Sequence, residues 1–171
     1  MKRKAMELTV LFIIIALVWL VVKHNRNKKI YYEPYTPAPI TEVHVSHVYD
    51  GDSIQVIDST GDRVDVRLYG IDTPELSQPY GVNALKYLKK LVLKKTVTMD
   101  FYGFDKYGRA LGLIFLGDVC VNQTLVKAGL AESYMSNMFD NEHLEAQRDM
   151  KGMWTQGAKY ISPQNWRDYH R

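Results

Sequence analysis

Five charged side chains carry most of the chemistry this chain could perform: Asp52, Arg67, Asp72, Glu75 and Arg109. Carboxylates that cluster without histidine or cysteine favour a hard, oxygen-preferring cation, Ca²⁺ or Mg²⁺. Arginines beside such a cation suit a phosphate, because the guanidinium fork matches two phosphate oxygens. A carboxylate close to both could hold a water for in-line attack while the cations stabilise the charge that develops. The set therefore predicts phosphodiester hydrolysis. Neither a nucleophilic Ser or Cys triad nor a Gly-rich phosphate loop is visible as an alternative.

These residues become a site only if strands bring them together. Residues 53–58 and 64–69 alternate, with Ile54 and Val56 on one apolar face and Val64, Val66 and Leu68 on the other. A short loop containing Gly61 joins them, the pattern of a hairpin. Matching the apolar faces pairs Ile54 with Leu68 and Val56 with Val66, which places Asp52 opposite Gly70. Asp52, Arg67, Asp72 and Glu75 then gather at one end of the hairpin.

Around this hairpin the pattern predicts a strand over 41–49 with Val43, Val45 and Val48 inward, a helix over 80–95 with Ala84, Leu88, Leu91 and Val92 as its apolar stripe, and strands over 96–101 and 110–116. A helix over 119–127 stops at Gly129, and a last helix spans 141–154 with Leu144, Met150 and Trp154 as core. Ser162-Pro163 reads as the cap and first residue of a short tail helix reaching Tyr169. His44 and His47, three apart on a strand, point to opposite faces and read as rim residues. Asn122-Gln123-Thr124 forms a formal glycosylation sequon at a predicted helix start. Five short strands with helices after the third and fifth predict an α+β fold: a five-stranded OB-type barrel with about three helices.

The rest of the chain serves attachment. Leu8 to Val22 is an apolar run of fifteen residues interrupted only by Thr9, flanked by Lys2, Arg3, Lys4 and Lys23. No pair of small residues follows it for cleavage, and the lysines suit snorkelling, so an uncleaved transmembrane anchor is expected over 1–26. Residues 27–40 hold three prolines and three tyrosines and read as a semi-stiff tether. The catalytic domain is expected over 41–156 and a tail over 157–171. The net charge of +3 divides unevenly: residues 1–40 hold seven Lys/Arg and two acids, whereas the remainder holds 15 Lys/Arg and 17 acids. The globular part is thus no broadly basic nucleic-acid binder, and any polyanion must be held by a local cluster or a metal. The single cysteine, Cys120, excludes an intrachain disulfide and a cysteine-rich zinc site.

The motifs Asp50-Gly-Asp52, Arg67-Leu-Tyr-Gly-Ile-Asp72-Thr-Pro-Glu75 and Asp105-Lys-Tyr-Gly-Arg109, followed by Gly129-Leu-Ala and Gly152-Met-Trp154, occur in order. Over residues 41–156 the chain resembles staphylococcal nuclease and its family, the thermonucleases. The resemblance implies an OB-fold core and Ca²⁺-dependent cleavage of DNA and RNA with little sequence preference, leaving 3′-phosphate products. By position, it implies Asp52, Asp72 and the Thr73 carbonyl as calcium ligands, Glu75 as general base and Arg67 and Arg109 as phosphate arginines. Lys106 and Tyr107 match phosphate-contacting positions, and Tyr134 takes the base-stacking role. The loop over 76–79 is shorter than in the staphylococcal enzyme. A monomer without protein partners is expected. Charge on both flanks of the anchor leans towards a domain held inside, but a nuclease needs calcium and separation from the cell's own nucleic acid, so an extracytoplasmic domain is expected. The rival reading is a catalytically silent, membrane-tethered module that binds nucleic acid or protein; it would usually have lost an arginine or the base, and neither is lost.

Overall fold

A computed structural model describes residues 41–170, and the expected anchor and tether lie outside the described residues. Five strands form the body: β1 (Thr41–Val48), β2 (Ser53–Ile57), β3 (Arg63–Leu68), β5 (Thr96–Phe104) and β6 (Ala110–Leu116). Their order is β3-β2-β1-β5-β6, and β3 also pairs with β6, in parallel, so the sheet closes into a barrel. Closure leaves none of the five with a long free edge. A short β7 (Val119–Cys120) extends β6, and β4 (Ile71–Asp72) pairs with β8 (Glu132–Ser133) as a separate ribbon. The helices are α1 (Gly81–Val92), α2 (Val121–Lys127), α3 (Asp140–Arg148) and α4 (Pro163–Tyr169), with a 3₁₀ segment over Gly152–Lys159. The described residues thus hold four α-helices where about three were expected.

Apolar alternation explains the barrel interior. Val43, Val45 and Val48 of β1 are all buried, although 45 and 48 are three apart. A bulge between Val45 and His47 absorbs the extra residue and restores the inward phase. In the hairpin, Ile54 pairs with Val66 and Val56 with Val64, two residues away from the pairing expected from sequence. Apolar matching fixes only which face is inward, and a two-residue shift preserves that face. The turn decides between the two: Asp58 Oδ1 accepts from the amides of Thr60 (2.9 Å) and Asp62 (3.0 Å) and ties the loop at that length. Asp52 consequently sits opposite Leu68, whose amide donates to the Asp52 carbonyl at 2.8 Å, and not opposite Gly70.

Helix α1 lays Ala84, Leu88 and Val92 on the core. It is shorter than expected at both ends, because Tyr80 (φ 72°) and Lys94 (φ 60°) leave the right-handed region. The expected helix over 119–127 yields its first two residues to β7. Asn122 is fully buried there: its Oδ1 accepts from the Ile114 amide (3.0 Å) and its Nδ2 donates to the Tyr69 carbonyl (2.8 Å), so the formal sequon is a barrel clamp and no glycan acceptor. The expected helix over 141–154 is two elements. α3 ends at Arg148, and Met150 and Gly152 (φ 54° and 52°) break the helical phase. Leu144 and Met150 are therefore exposed, while Ala146, Met153 and Trp154 form a second small core. Ser162 caps α4 as expected, its Oγ accepting from the Asn165 amide at 3.2 Å. Among the described residues no helix is long and apolar enough to cross a membrane.

Candidate active site

The turn before β2 delivers Asp52. Gly51 lies so close to Thr73 that an added β-carbon would sit 2.6 Å from the Thr73 hydroxyl. This approach lets Thr73 donate to Asp52 Oδ2 from its amide (2.9 Å) and its hydroxyl (3.0 Å). Strand β3 carries Arg67 beside Asp52, with which its Nη1 forms a short ion pair. After β3 the chain turns at Gly70, whose φ of 77° suits a residue without a β-carbon, and re-enters as β4. Pairing with β8 fixes β4, and Asp72 returns its Oδ1 to Arg67 Nη2 at 2.8 Å. One guanidinium thus holds two carboxylates that are almost wholly buried, at 2% and 0% exposure.

Burial pushes the Asp52 carboxyl up to about 7, against the pull of Arg67. Every hydrogen-bonding group that surrounds it is a donor, the pattern of an ionised carboxylate. Burial also opposes the charge on Arg67, but Asp52 and Asp72 more than offset this and raise its pKa.

Glu75 opens the short turn that follows. Its amide donates to Gln78 Oε1 (3.1 Å), and its carbonyl accepts from the Gln78 amide (2.8 Å). A β-carbon at Gly81 would overlap the Glu75 carbonyl, so glycine is what allows α1 to start so soon after the loop. A residue that the sequence reading missed completes this side. Arg167 of α4 donates to Glu75 Oε1 from Nη1 (2.8 Å) and to Asp72 Oδ2 from Nη2 (2.7 Å). Nothing local in the sequence marks Arg167, which lies 92 positions from Glu75.

Arg109 arrives on the loop between β5 and β6. Asp105 organises that loop: its Oδ1 accepts from the amides of Tyr107 (2.8 Å) and Arg109 (2.9 Å), and its Oδ2 from Arg109 Nε (2.8 Å). Desolvation is the largest single influence and works against its charge, but these donors and the Arg109 charge together hold the Asp105 carboxyl below the usual carboxylate range. Arg109 Nη1 also reaches Ser53 Oγ (3.3 Å), which in turn donates to Asp52 Oδ1 (3.3 Å). A polar chain therefore connects the two arginines through Ser53 and Asp52.

Arg67 and Arg109 line one cleft of about 560 Å³, together with Tyr69, Lys106, Tyr107 and Tyr134. Tyr134 is placed there by its amide, which donates to the Gly70 carbonyl at 2.9 Å. Lys106 Nζ lies 5.0 Å from the centroid of the exposed Tyr107 ring, a cation–π arrangement. Glu75 does not line this cleft. It borders a neighbouring hollow with Ser77, Trp166, Arg167 and His170. Asp72 links the two, bonded to Arg67 of the cleft and to Arg167 of the hollow.

The oxygen groups gathered around Arg67 are of the kind a hard cation takes. Asp52 and Asp72 offer carboxylate oxygens and Thr73 adjoins them, with no nitrogen or sulfur ligand. Among the described residues no three His, Cys, Asp or Glu side chains are grouped closely enough to hold a metal by themselves. The two buried acids thus fit a cation that takes its other ligands from carbonyl oxygens and water, as Ca²⁺ and Mg²⁺ both do.

Comparison with known proteins identifies the family. The profile described as Staphylococcal nuclease homologue matches residues 65–156. A protein of Escherichia coli described as an uncharacterized endonuclease is 38% identical over 138 residues, covering 77% of this chain and 89% of its own length. The thermonuclease of Staphylococcus intermedius is 33% identical over 160 residues, covering 85% of this chain and 95% of its own. A protein of Haemophilus influenzae, also described as an uncharacterized endonuclease, is 32% identical over 127 residues, 72% of this chain and 71% of its own length. With a closed five-stranded barrel, two arginines on one cleft and a profile match across more than half of its length, this chain belongs to the staphylococcal nuclease family.

Proposed function

We propose that the protein is a calcium-dependent endonuclease that hydrolyses phosphodiester bonds of DNA and RNA with little sequence preference, leaving 3′-phosphate ends. The observation that carries this reading is the joining of Arg67 and Arg109 on one cleft, with Asp52 and Asp72 paired to Arg67 and Glu75 linked to Asp72 through Arg167. In this reading Asp52, Asp72 and the Thr73 carbonyl hold Ca²⁺. When bound, the ion supplies positive charge to the phosphate as negative charge develops there. Glu75 orients a water and takes its proton. Arg67 and Arg109 donate to the non-bridging phosphate oxygens through the guanidinium hydrogens that their protein partners leave free. Lys106 and Tyr107 hold the flanking phosphate, and Tyr134 offers its ring to a base.

The test is digestion of single- and double-stranded DNA and of RNA, with Ca²⁺ and with chelator. Chelator is expected to abolish cleavage, and Glu75→Gln to slow it by about 10² or more, the scale of losing a positioned base. Tight binding without cleavage would instead support the silent binding module. Full activity under chelator or in Glu75→Gln would remove the mechanism.

Residues 1–26 are proposed to anchor the protein in a membrane with the domain, a monomer, outside the cytoplasm. The apolar run over 8–22 and its basic flanks support anchoring. Protease added to intact cells should then degrade the domain; full protection would place it on the other side.

A further inference from the structure

The C-terminal segment beyond the family match forms a strap over the carboxylates. It begins at Tyr160, whose hydroxyl pairs with Glu132, the residue opposite Asp72 in the β4–β8 ribbon. The Ile161 carbonyl accepts from Gln78 Nε2 (2.7 Å), and Trp166 Nε1 donates to Ser77 Oγ (3.2 Å). These two bonds press the strap on the short turn that follows Glu75. α4 then aims Arg167 at Asp72 and Glu75. Its guanidinium takes Asp72 Oδ2 at 2.7 Å and Glu75 Oε1 at 2.8 Å, while Arg67 takes Asp72 Oδ1. Both oxygens of the innermost carboxylate are thereby bonded to guanidinium groups.

We propose that Arg167 is a built-in cation of this site, so that the docked α4 strap and a divalent metal compete for Asp72 and Glu75. The inference rests on the metal reading above and adds a device that reading does not contain. Three observations support it. A guanidinium 2.7 Å from Asp72 Oδ2 stands where a cation drawn to that oxygen would stand, and two cations repel. The same guanidinium holds Glu75, so a closed strap withholds the general base along with a metal ligand. The strap is also built to let go. α4 has seven residues, too few to be stable alone; Pro163 at its start is buried, whereas Trp166 and Arg167, which bond to the barrel domain, are only partly buried. Release gives up the packing of Pro163 and the pairs of Arg167 with Asp72 and Glu75, and the pull of a divalent ion on the same two acids offsets that cost. With the strap closed, two guanidinium groups offset most of the charge of three carboxylates without metal; with metal bound, Arg167 swings clear and Glu75 is freed for water.

The test uses the full chain and Ca²⁺ alone, without nucleic acid. Calorimetric titration compares wild type with Arg167→Gln, and hydrogen exchange follows the amides of 164–169 with and without Ca²⁺. If the open state is the minority, apparent affinity is reduced by its fraction, so Arg167→Gln is expected to bind Ca²⁺ about tenfold more tightly or better. In the wild type, Ca²⁺ is expected to speed exchange in α4 while the barrel strands stay protected. Equal affinity in the two proteins overturns the competition, and weaker affinity in Arg167→Gln overturns it in favour of a positioning role for Arg167. Unchanged exchange in α4 at saturating Ca²⁺ overturns the displacement of the strap. Binding by neither protein removes the calcium reading itself, an outcome distinct from binding by both without difference.

Discussion

Two arginines face the same cleft and are held in opposite ways. Arg67 projects from a barrel strand, and its guanidinium is fixed by two buried carboxylates that are themselves anchored by the Thr73 amide and by the β4–β8 pairing. Arg109 projects from a loop, and its main partner, Asp105, lies four residues away in the same turn. The first arginine neutralises charge the fold has already buried. The second is presented by a local device that the barrel does not depend on. One residue therefore joins stability to chemistry, while the other keeps them apart, and variants at the two positions should separate these roles.

The largest effect is expected at Arg67. Arg67→Ala leaves Asp52 and Asp72 buried with their shared cation gone, a loss on the order of 3–5 kcal/mol of folding stability, with cleavage reduced beyond detection. Urea unfolding and digestion rates measure the two losses. Arg67→Lys should recover little of either, because an ammonium cannot bridge two carboxylates as a fork does. An Arg67→Ala variant of normal stability would show that the burial is relieved elsewhere and would end the contrast.

At Arg109 the expected loss is in rate only. Arg109→Ala should reduce cleavage by about 10² or more, the cost of one transition-state donor, while stability changes by about 1 kcal/mol or less. A large fall in melting temperature would mean that the loop is part of the core after all. The smallest effect belongs to Asp105→Asn, which keeps the turn's shape and removes its charge. Cleavage should fall by about tenfold at most, with the loss in kcat rather than in folding. The sign of its pH dependence follows from a lowered folded-state pKa: the hold on Arg109 is complete above the ordinary value of 3.8 and is lost as pH falls through the folded value. Arg109 side-chain NMR signals should report that release, and Asp105→Asn should abolish the titration.

The hairpin pairing shows how far a pattern reaches. Alternation in 53–58 and 64–69 identified the strands and the inward face, but two registers satisfied it, and the Asp58 turn selected the one that pairs Ile54 with Val66. The charged end survives that shift because Asp52 and Arg67 still meet, now across the ladder from a Ser53–Arg67 pair. The late helix shows the opposite case. Leu144 and Met150 fit a helical stripe, yet left-handed residues at Met150 and Gly152 reset the phase and brought Met153 inward. Backbone breaks at a non-glycine residue leave no periodic signal, so the stripe was misleading there.

What the sequence alone determined is local: which side chains can bind a cation or a phosphate, which strand faces are apolar, and where Gly61, Gly129 and Ser162 turn, stop or cap the chain. These depend on residues within a few positions of one another. Tertiary structure alone decided the closing β3–β6 pair, the burial of Asn122 as a clamp between β6 and the end of β3, and the landing of Arg167 on Asp72 and Glu75. Each is a contact between segments far apart in the chain, set by barrel closure and by where the strap exits. No short-range preference encodes it, because a guanidinium on a short helix finds its carboxylate partner only after the core has placed both.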